Sequence, residues 1–113
     1  MTALIEKGHE IIRRDITAFS EELVESLRER EDVQILHYPL EHQCGTYDYL
    51  KIRSRDIMPD DKVIIIRASL HGDEIAGAYS MLYHLDKIFD YAHGQGVKLI
   101  VYPLANPSGF ERN

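Results

Sequence analysis

A mixed α/β fold, with an N-terminal helix, a hairpin and a parallel βαβ unit, is what this 113-residue sequence predicts. Apolar residues recur every three or four positions early in the chain, two later apolar runs lack polar alternation, and a helical repeat of apolar residues lies between those two runs. Strand, helix and strand in that order form a crossover whose strands run parallel.

The first element is a helix from Ile11 to about Arg30, with Ile12, Ile16, Phe19, Leu23 and Leu27 along one face. The charged run from Arg28 to Asp32 stops it, and the composition changes at Val33-Gln34-Ile35-Leu36-His37 to that of a strand. Val33 to Arg53 reads as a hairpin turning at Gln43-Cys44-Gly45-Thr46, with Tyr47, Tyr49 and Leu50 beginning its second strand. Asp56 to Asp61 holds a proline and three aspartates and suits a surface connection.

Lys62 to Leu70 contains Val63-Ile64-Ile65-Ile66, a β-branched run expected to form an interior strand covered on both faces. A second helix follows from Ile75 to about Tyr91, with Ile75, Ala78, Met81, Leu82, Leu85, Ile88 and Phe89 at helical spacing. Gly94 and Gly96 end it, and Val97 to Leu104 is a further apolar strand running into Ala105-Asn106-Pro107-Ser108-Gly109. Parallel strands place their C-terminal ends, near His71 and Asn106, on one edge of the sheet, where open α/β sheets bind their ligands. No linker or repeat divides the chain, which is expected to be one domain over residues 1–113.

Composition narrows the function. Hydrophobic residues make up 44% and charged residues 28%, ordinary for a folded soluble domain. The net charge is -6, and no cluster of Lys and Arg along the chain offers the cationic face that nucleic acid requires, so nucleic acid is not expected as a partner. Arg13-Arg14 and Arg28-Glu29-Arg30 lie among acidic residues and read as a solvated helix face. Cys44 is the single cysteine, which excludes an internal disulfide or a CxxC site. Glu6 and Lys7 fall where a signal peptide needs an apolar run, and no segment approaches the ~20 apolar residues of a membrane span, so a cytoplasmic protein without membrane contact is expected.

His71-Gly72-Asp73-Glu74 stands where the expected buried strand turns into the second helix. An imidazole and a carboxylate three residues apart are two ligands of the kind that hold catalytic zinc, and a strand-to-helix junction fixes them more firmly than a loop. The other reading of the same residues is local. Asp73 or Glu74 can complement the N-terminal dipole of the helix while His71 satisfies a turn hydrogen bond.

The order of helix, hairpin, apolar strand, His-Gly-Asp-Glu, helix, apolar strand and Asn106-Pro107-Ser108-Gly109-Phe110 resembles the N-terminal half of the M14 zinc carboxypeptidases and of the related succinylglutamate desuccinylase and aspartoacylase group. The resemblance covers nearly the whole chain. It implies Zn2+ as cofactor, His71 and Glu74 as metal ligands, and Asn106 near a substrate pocket. It also implies hydrolysis of a C-terminal peptide bond or the amide of an acylated amino acid, and Gly109-Phe110 is more like the peptidase branch. The third ligand, the general base and the carboxylate-gripping arginines of that family have no counterpart up to Asn113, and Arg112 lies too close to Asn106-Pro107 to be one of them. A catalytically inactive binding module, or a metal-free flavodoxin-like domain, are the competing expectations. The latter lacks a glycine-rich phosphate loop.

The remaining candidates read as structural. His37, His42 and Cys44 are close enough in sequence to suggest a second metal site, but the hairpin would have to present them on one face, and ordinary surface or turn roles are the better reading. His84 lies ten residues beyond Glu74, too far along a helix to join its site. Tyr79, Tyr83 and Tyr91 suit packing and rim positions. With only two long helices to cover two apolar strands, the chain is expected to expose apolar surface or a sheet edge and to self-associate.

Overall fold

The computed structural model describes residues 16–42, 45–68 and 75–105. The order of elements is α1 (Ile16–Leu27), β1 (Val33–His42), β2 (Gly45–Ser54), β3 (Lys62–Arg67), α2 (Ile75–Gly94) and β4 (Val97–Tyr102). The strands form one mixed sheet in the order β1-β2-β4-β3. β1 and β2 pair antiparallel from Val33↔Ser54 to His42↔Gly45, β2 meets β4 antiparallel at Ile52↔Val101, and β3 runs parallel to β4 from Lys62↔Val97 to Arg67↔Tyr102. The expected helix, hairpin and βαβ unit are all present.

Side-chain period explains the core. Phe19, Leu23 and Leu27 recur at intervals of four and form the buried stripe of α1, while Ala78, Met81, Leu82, Leu85, Phe89 and Ala92 do the same for α2. In the sheet, Leu50, Ile52, Leu99 and Val101 alternate with half-buried neighbours, so one face packs against the helices. The ring of Phe19 meets Tyr79 edge to face at 5.7 Å and locks α1 to α2.

Boundaries differ from the sequence reading in informative ways. α1 ends at Leu27 because tight turns, Arg28 N–H to Glu25 O and Arg30 N–H to Leu27 O, replace the helical bonds. Residues 11–15 of the expected helix lie outside the described residues, as do Gln43 and Cys44 of the turn. Gly45 and Thr46 belong to β2 rather than to the turn. α2 continues to Gly94, and the chain then reverses through Gly96 at φ 75°, a conformation that costs a residue with a Cβ about 1–2 kcal/mol.

One expectation is corrected. The β-branched run of β3 does not lie in the interior: β3 is an edge strand, and Val63, Ile64 and Ile65 are 37%, 53% and 56% exposed. The interior position belongs to β4, paired on both sides and covered by α2. A run without polar alternation says that two faces are apolar. It does not say that the chain which carries it supplies both covers. No described helix is long and apolar enough to cross a membrane.

Candidate functional site

The parallel pairing of β3 and β4 continues past both strands. Ala68 donates its N–H to Tyr102 O at 2.9 Å, and Ala105 donates its N–H to Ala68 O at 2.9 Å. Ala68 and Leu104 are 7% and 5% exposed, and Pro103 is fully buried, so the two strand exits are clamped side by side in an apolar setting. α2 then starts at Ile75. Three fixed points therefore converge on one end of the sheet: the exit of β3, the exit of β4 and the start of α2.

The residues singled out for metal and substrate lie between those points. His71 and Glu74 fall in the segment 69–74 and Asn106 in 106–113, all outside the described residues. Among the described residues no group of three or more His, Cys, Asp or Glu side chains could hold a metal ion. A zinc ion suits the donor chemistry of His71 and Glu74, and a three-ligand site needs one more protein donor.

Beside the strand exits stands a small aromatic and cationic group. Lys51 Nζ and the Arg67 guanidinium lie 6.0 and 5.8 Å from the centre of the Tyr102 ring, and the Tyr49 ring lies tilted against it at 6.0 Å. Burial holds the Tyr49 hydroxyl above its ordinary pKa, with Tyr102 adding to the effect and Arg67 opposing it, so the phenol stays neutral.

The other sequence candidates separate cleanly. His37 is exposed on β1 opposite Leu50, and His42 ends that strand opposite Gly45, five residues and about 17 Å further along. Cys44 and Arg112 lie outside the described residues. His84 sits exposed on α2 with its ring 6.2 Å from Tyr83. Tyr79 is core, whereas Tyr83 and Tyr91 are 42% and 73% exposed, as expected of rim residues.

What the sequence reading missed is a polar network at the opposite end of β4. Arg30, expected on a solvated face, has a side chain only 14% exposed. Its guanidinium donates from Nε and Nη2 to the two carboxylate oxygens of Asp32, at 3.0 and 2.8 Å. From Nη1 it reaches Asp86 O and Oδ1, both at 2.9 Å, and Asp90 Oδ1 at 2.8 Å. It also lies over the Phe89 ring at 5.8 Å. These contacts, the Asp32 bond first, raise the Arg30 pKa, and the bond from Arg30 holds the Asp32 carboxyl down at about 2, with His93 helping and partial burial opposing. The available signal was half of the network only: Asp86 and Asp90, four apart on one helix with Phe89 between them, make an acidic pair suited to a cation, with nothing to say which Arg supplies it.

Asp32 also passes the network inward. His93 Nδ1 is 2.9 Å from Asp32 Oδ2, and His93 Nε2 is 2.6 Å from Ser54 Oγ. The sequence Ser, His, Asp has the spacing of a nucleophilic triad. Two facts exclude that role: Ser54 is 1% exposed, and its Oγ accepts the Leu99 N–H at 2.9 Å. With Asp32 ionised, Nδ1–H donates to it and Ser54 O–H donates to Nε2, so each polar hydrogen has an acceptor. The network is a staple joining the start of β1, the end of β2, the last turn of α2 and β4.

No protein-family model and no curated protein matches the sequence. Solved structures do. A candidate metallopeptidase from Shewanella amazonensis SB2B superposes with a TM-score of 0.68 at 25% identity, over 88% of this chain and 35% of its own. One from Shewanella denitrificans OS217 gives 0.64 at 26% identity, over 87% and 36%. Bovine thrombin-activatable fibrinolysis inhibitor, solved with tick carboxypeptidase inhibitor, shares the fold at 0.57 and 12% identity, over 85% and 31%. The chain thus spans about a third of the length of the structures it matches.

Proposed function

We propose that this chain, which has the fold of the M14 zinc carboxypeptidases over about a third of their length, supplies the first two ligands of a hydrolytic zinc site, His71 Nδ1 or Nε2 and a Glu74 carboxylate oxygen. The observation that carries this reading is the clamp of Ala68 to Tyr102 and Ala105. His71 is three residues from Ala68 and Asn106 one residue from Ala105, and three residues of chain reach at most about 11 Å. Glu74 immediately precedes α2. Metal ligands and substrate-binding amide are thereby tied to one edge of a parallel pair, the position where such sheets bind ligands.

Zinc held there would polarise a scissile carbonyl and acidify a water molecule. The protein's own part is to orient. His71 and Glu74 fix the ion relative to the strand ends, and Asn106 hydrogen-bonds the substrate beside it. The substrate class is a peptide with a free C-terminus, and an acylated amino acid is the alternative from the deacylase branch. The reading assigns this chain two of the three protein ligands of such a site. Zinc content after purification, compared between the natural chain and a His71→Ala, Glu74→Ala double variant, tests the reading. The natural chain should retain metal that the variant loses by at least about a hundredfold in affinity. Equal and negligible metal in both defeats it.

A further inference from the structure

We propose that Arg67 and Lys51, gathered around the Tyr102 ring, bind an acidic side chain of the peptide substrate within about four residues of the bond that is cut. That the peptide is a substrate rests on the hydrolytic reading; the receptor itself rests on strand register. β2 and β3 flank β4, and Arg67 is the direct partner of Tyr102 in the parallel pair. The antiparallel pairing of Ile52 with Val101 sets Lys51 beside the same tyrosine one step further on. Leu99 and Val101 are buried against the helices, so Tyr102 and both cations stand on the opposite face, in a row across three strands.

Two cations on one ring concentrate positive charge in a chain whose net charge is -6. Arg28, Arg30 and Lys98 are each met by a carboxylate, and Arg53 and Arg55 by carbonyl oxygens. Among the described residues neither Lys51 nor Arg67 meets a carboxylate, and their partner there is the ring. A ring face attracts a cation but carries no net charge to neutralise it. The guanidinium keeps a planar fork of N–H donors that fits a carboxylate, and the lysine ammonium adds a point charge beside it. Tyr49, tilted against Tyr102, remains a neutral phenol with a proton to donate. Ile65 and Ile100, paired with each other two residues back on the same face, offer apolar surface to the methylenes of a glutamate.

The row lies at the edge from which the candidate site follows. Tyr102 O accepts the Ala68 N–H, and Arg67 directly precedes Ala68. His71 comes four residues after Arg67 and Asn106 four after Tyr102, which limits either separation to about 14 Å. An extended peptide advances about 3.3 Å per residue, so it spans that separation with about four residues. The terminal carboxylate is a single residue from the scissile bond. A side chain therefore fits the offset better, and the terminal group is the other source of the same chemistry that a test has to separate.

Backbone-amide NMR titration of the metal-free chain tests the receptor. The probes are acetylated alanine tetrapeptides ending in phenylalanine, with one Glu at the first, second or third position, set against Gln counterparts and C-terminal amides. At one position Glu should bind at least about tenfold tighter than Gln, with the Arg67 and Tyr102 amides shifting. Arg67→Gln and Lys51→Gln should each cut that preference to below about threefold and leave Tm within about 2 °C of the parent. Arg67→Lys, which keeps the charge and loses the fork, should fall between. The two cations lie on different strands, so one folded variant is enough to decide. Equal binding of Glu and Gln at every position overturns the proposal. So does an Arg67-dependent preference that follows the terminal carboxylate instead of the side chain. A fall in Tm of more than about 4 °C without a Glu preference also overturns it, and assigns the cations to a carboxylate of the polypeptide. The His71→Ala, Glu74→Ala double variant should keep the preference. A preference for Glu in a chain that holds no zinc defeats the metal reading alone, and zinc retained without the preference defeats this proposal alone.

Discussion

The two ends of β4 are built on opposite principles. Its N-terminal end, around Leu99, Ser54 and His93, is saturated with hydrogen bonds that run outward through Asp32 to Arg30 and on to Asp86 and Asp90. Arg55 adds bonds from its side chain to Glu31 O and Val33 O, both at 3.0 Å, and from its backbone N–H to Asp32 O at 2.9 Å. Among the described residues the C-terminal end has two backbone hydrogen bonds and buried alanine, proline and leucine. Among the same residues, side-chain hydrogen bonds gather at the end where no ligand is expected. The candidate residues His71, Glu74 and Asn106 follow the far end in sequence.

Substitutions at the two ends should therefore give separable readouts. The largest change in folding stability is expected from Arg30→Ala, which leaves three carboxylates without their common cation and uncovers the Phe89 ring. Because the partner side chains are 45–68% exposed, the loss is held to about 2 kcal/mol, or roughly 8–12 °C in Tm. On the proposed reading His71 serves the metal and not the core, so His71→Ala in metal-free protein should leave Tm within about 2 °C of the parent. Equal losses in the two variants would erase the contrast between the ends.

A smaller effect is expected from Ser54→Ala. It removes the acceptor of the Leu99 N–H inside the core and should cost about 1–2 kcal/mol in urea unfolding, with the slope unchanged. A variant as stable as the parent would mean that water replaces the hydroxyl and that the inner part of the staple carries no load.

The smallest effect is on acid stability. Asp32 ionises near pH 2 in the folded chain against an ordinary value of 3.8, so the unfolded chain binds the proton more tightly. Its contribution is complete above about pH 4 and is lost as the pH falls towards 2. For a carboxylate this exposed the contribution amounts to less than about 1 kcal/mol. Unfolding midpoints compared between pH 5 and pH 2.5 should fall more for the parent than for Asp32→Asn, and identical falls would remove Asp32 from the network.

Much of this was legible in the sequence because it depends on local period. The intervals of Phe19, Leu23 and Leu27, and of Leu82, Leu85 and Phe89, fix which helix faces are buried. The hairpin followed from β-branched and aromatic runs around a glycine, and the parallel pair from strand, helix, strand order. The candidate site was legible as a spacing, His71 to Glu74, and as a placement after an apolar strand. Arg30 was not, because its partners lie 56 and 60 residues away and nothing in the surrounding charged run marks it as the residue that turns inward.

The sequence by itself determined which segments are helix and strand, which faces are apolar, and the order that makes two strands parallel, since each follows from side chains a few residues apart. Only the tertiary structure decided that β4 rather than β3 takes the central place, and that Arg30, Asp32, His93 and Ser54 join into one chain of bonds. Both outcomes depend on which surfaces meet across the sheet, and no period along the chain encodes that meeting.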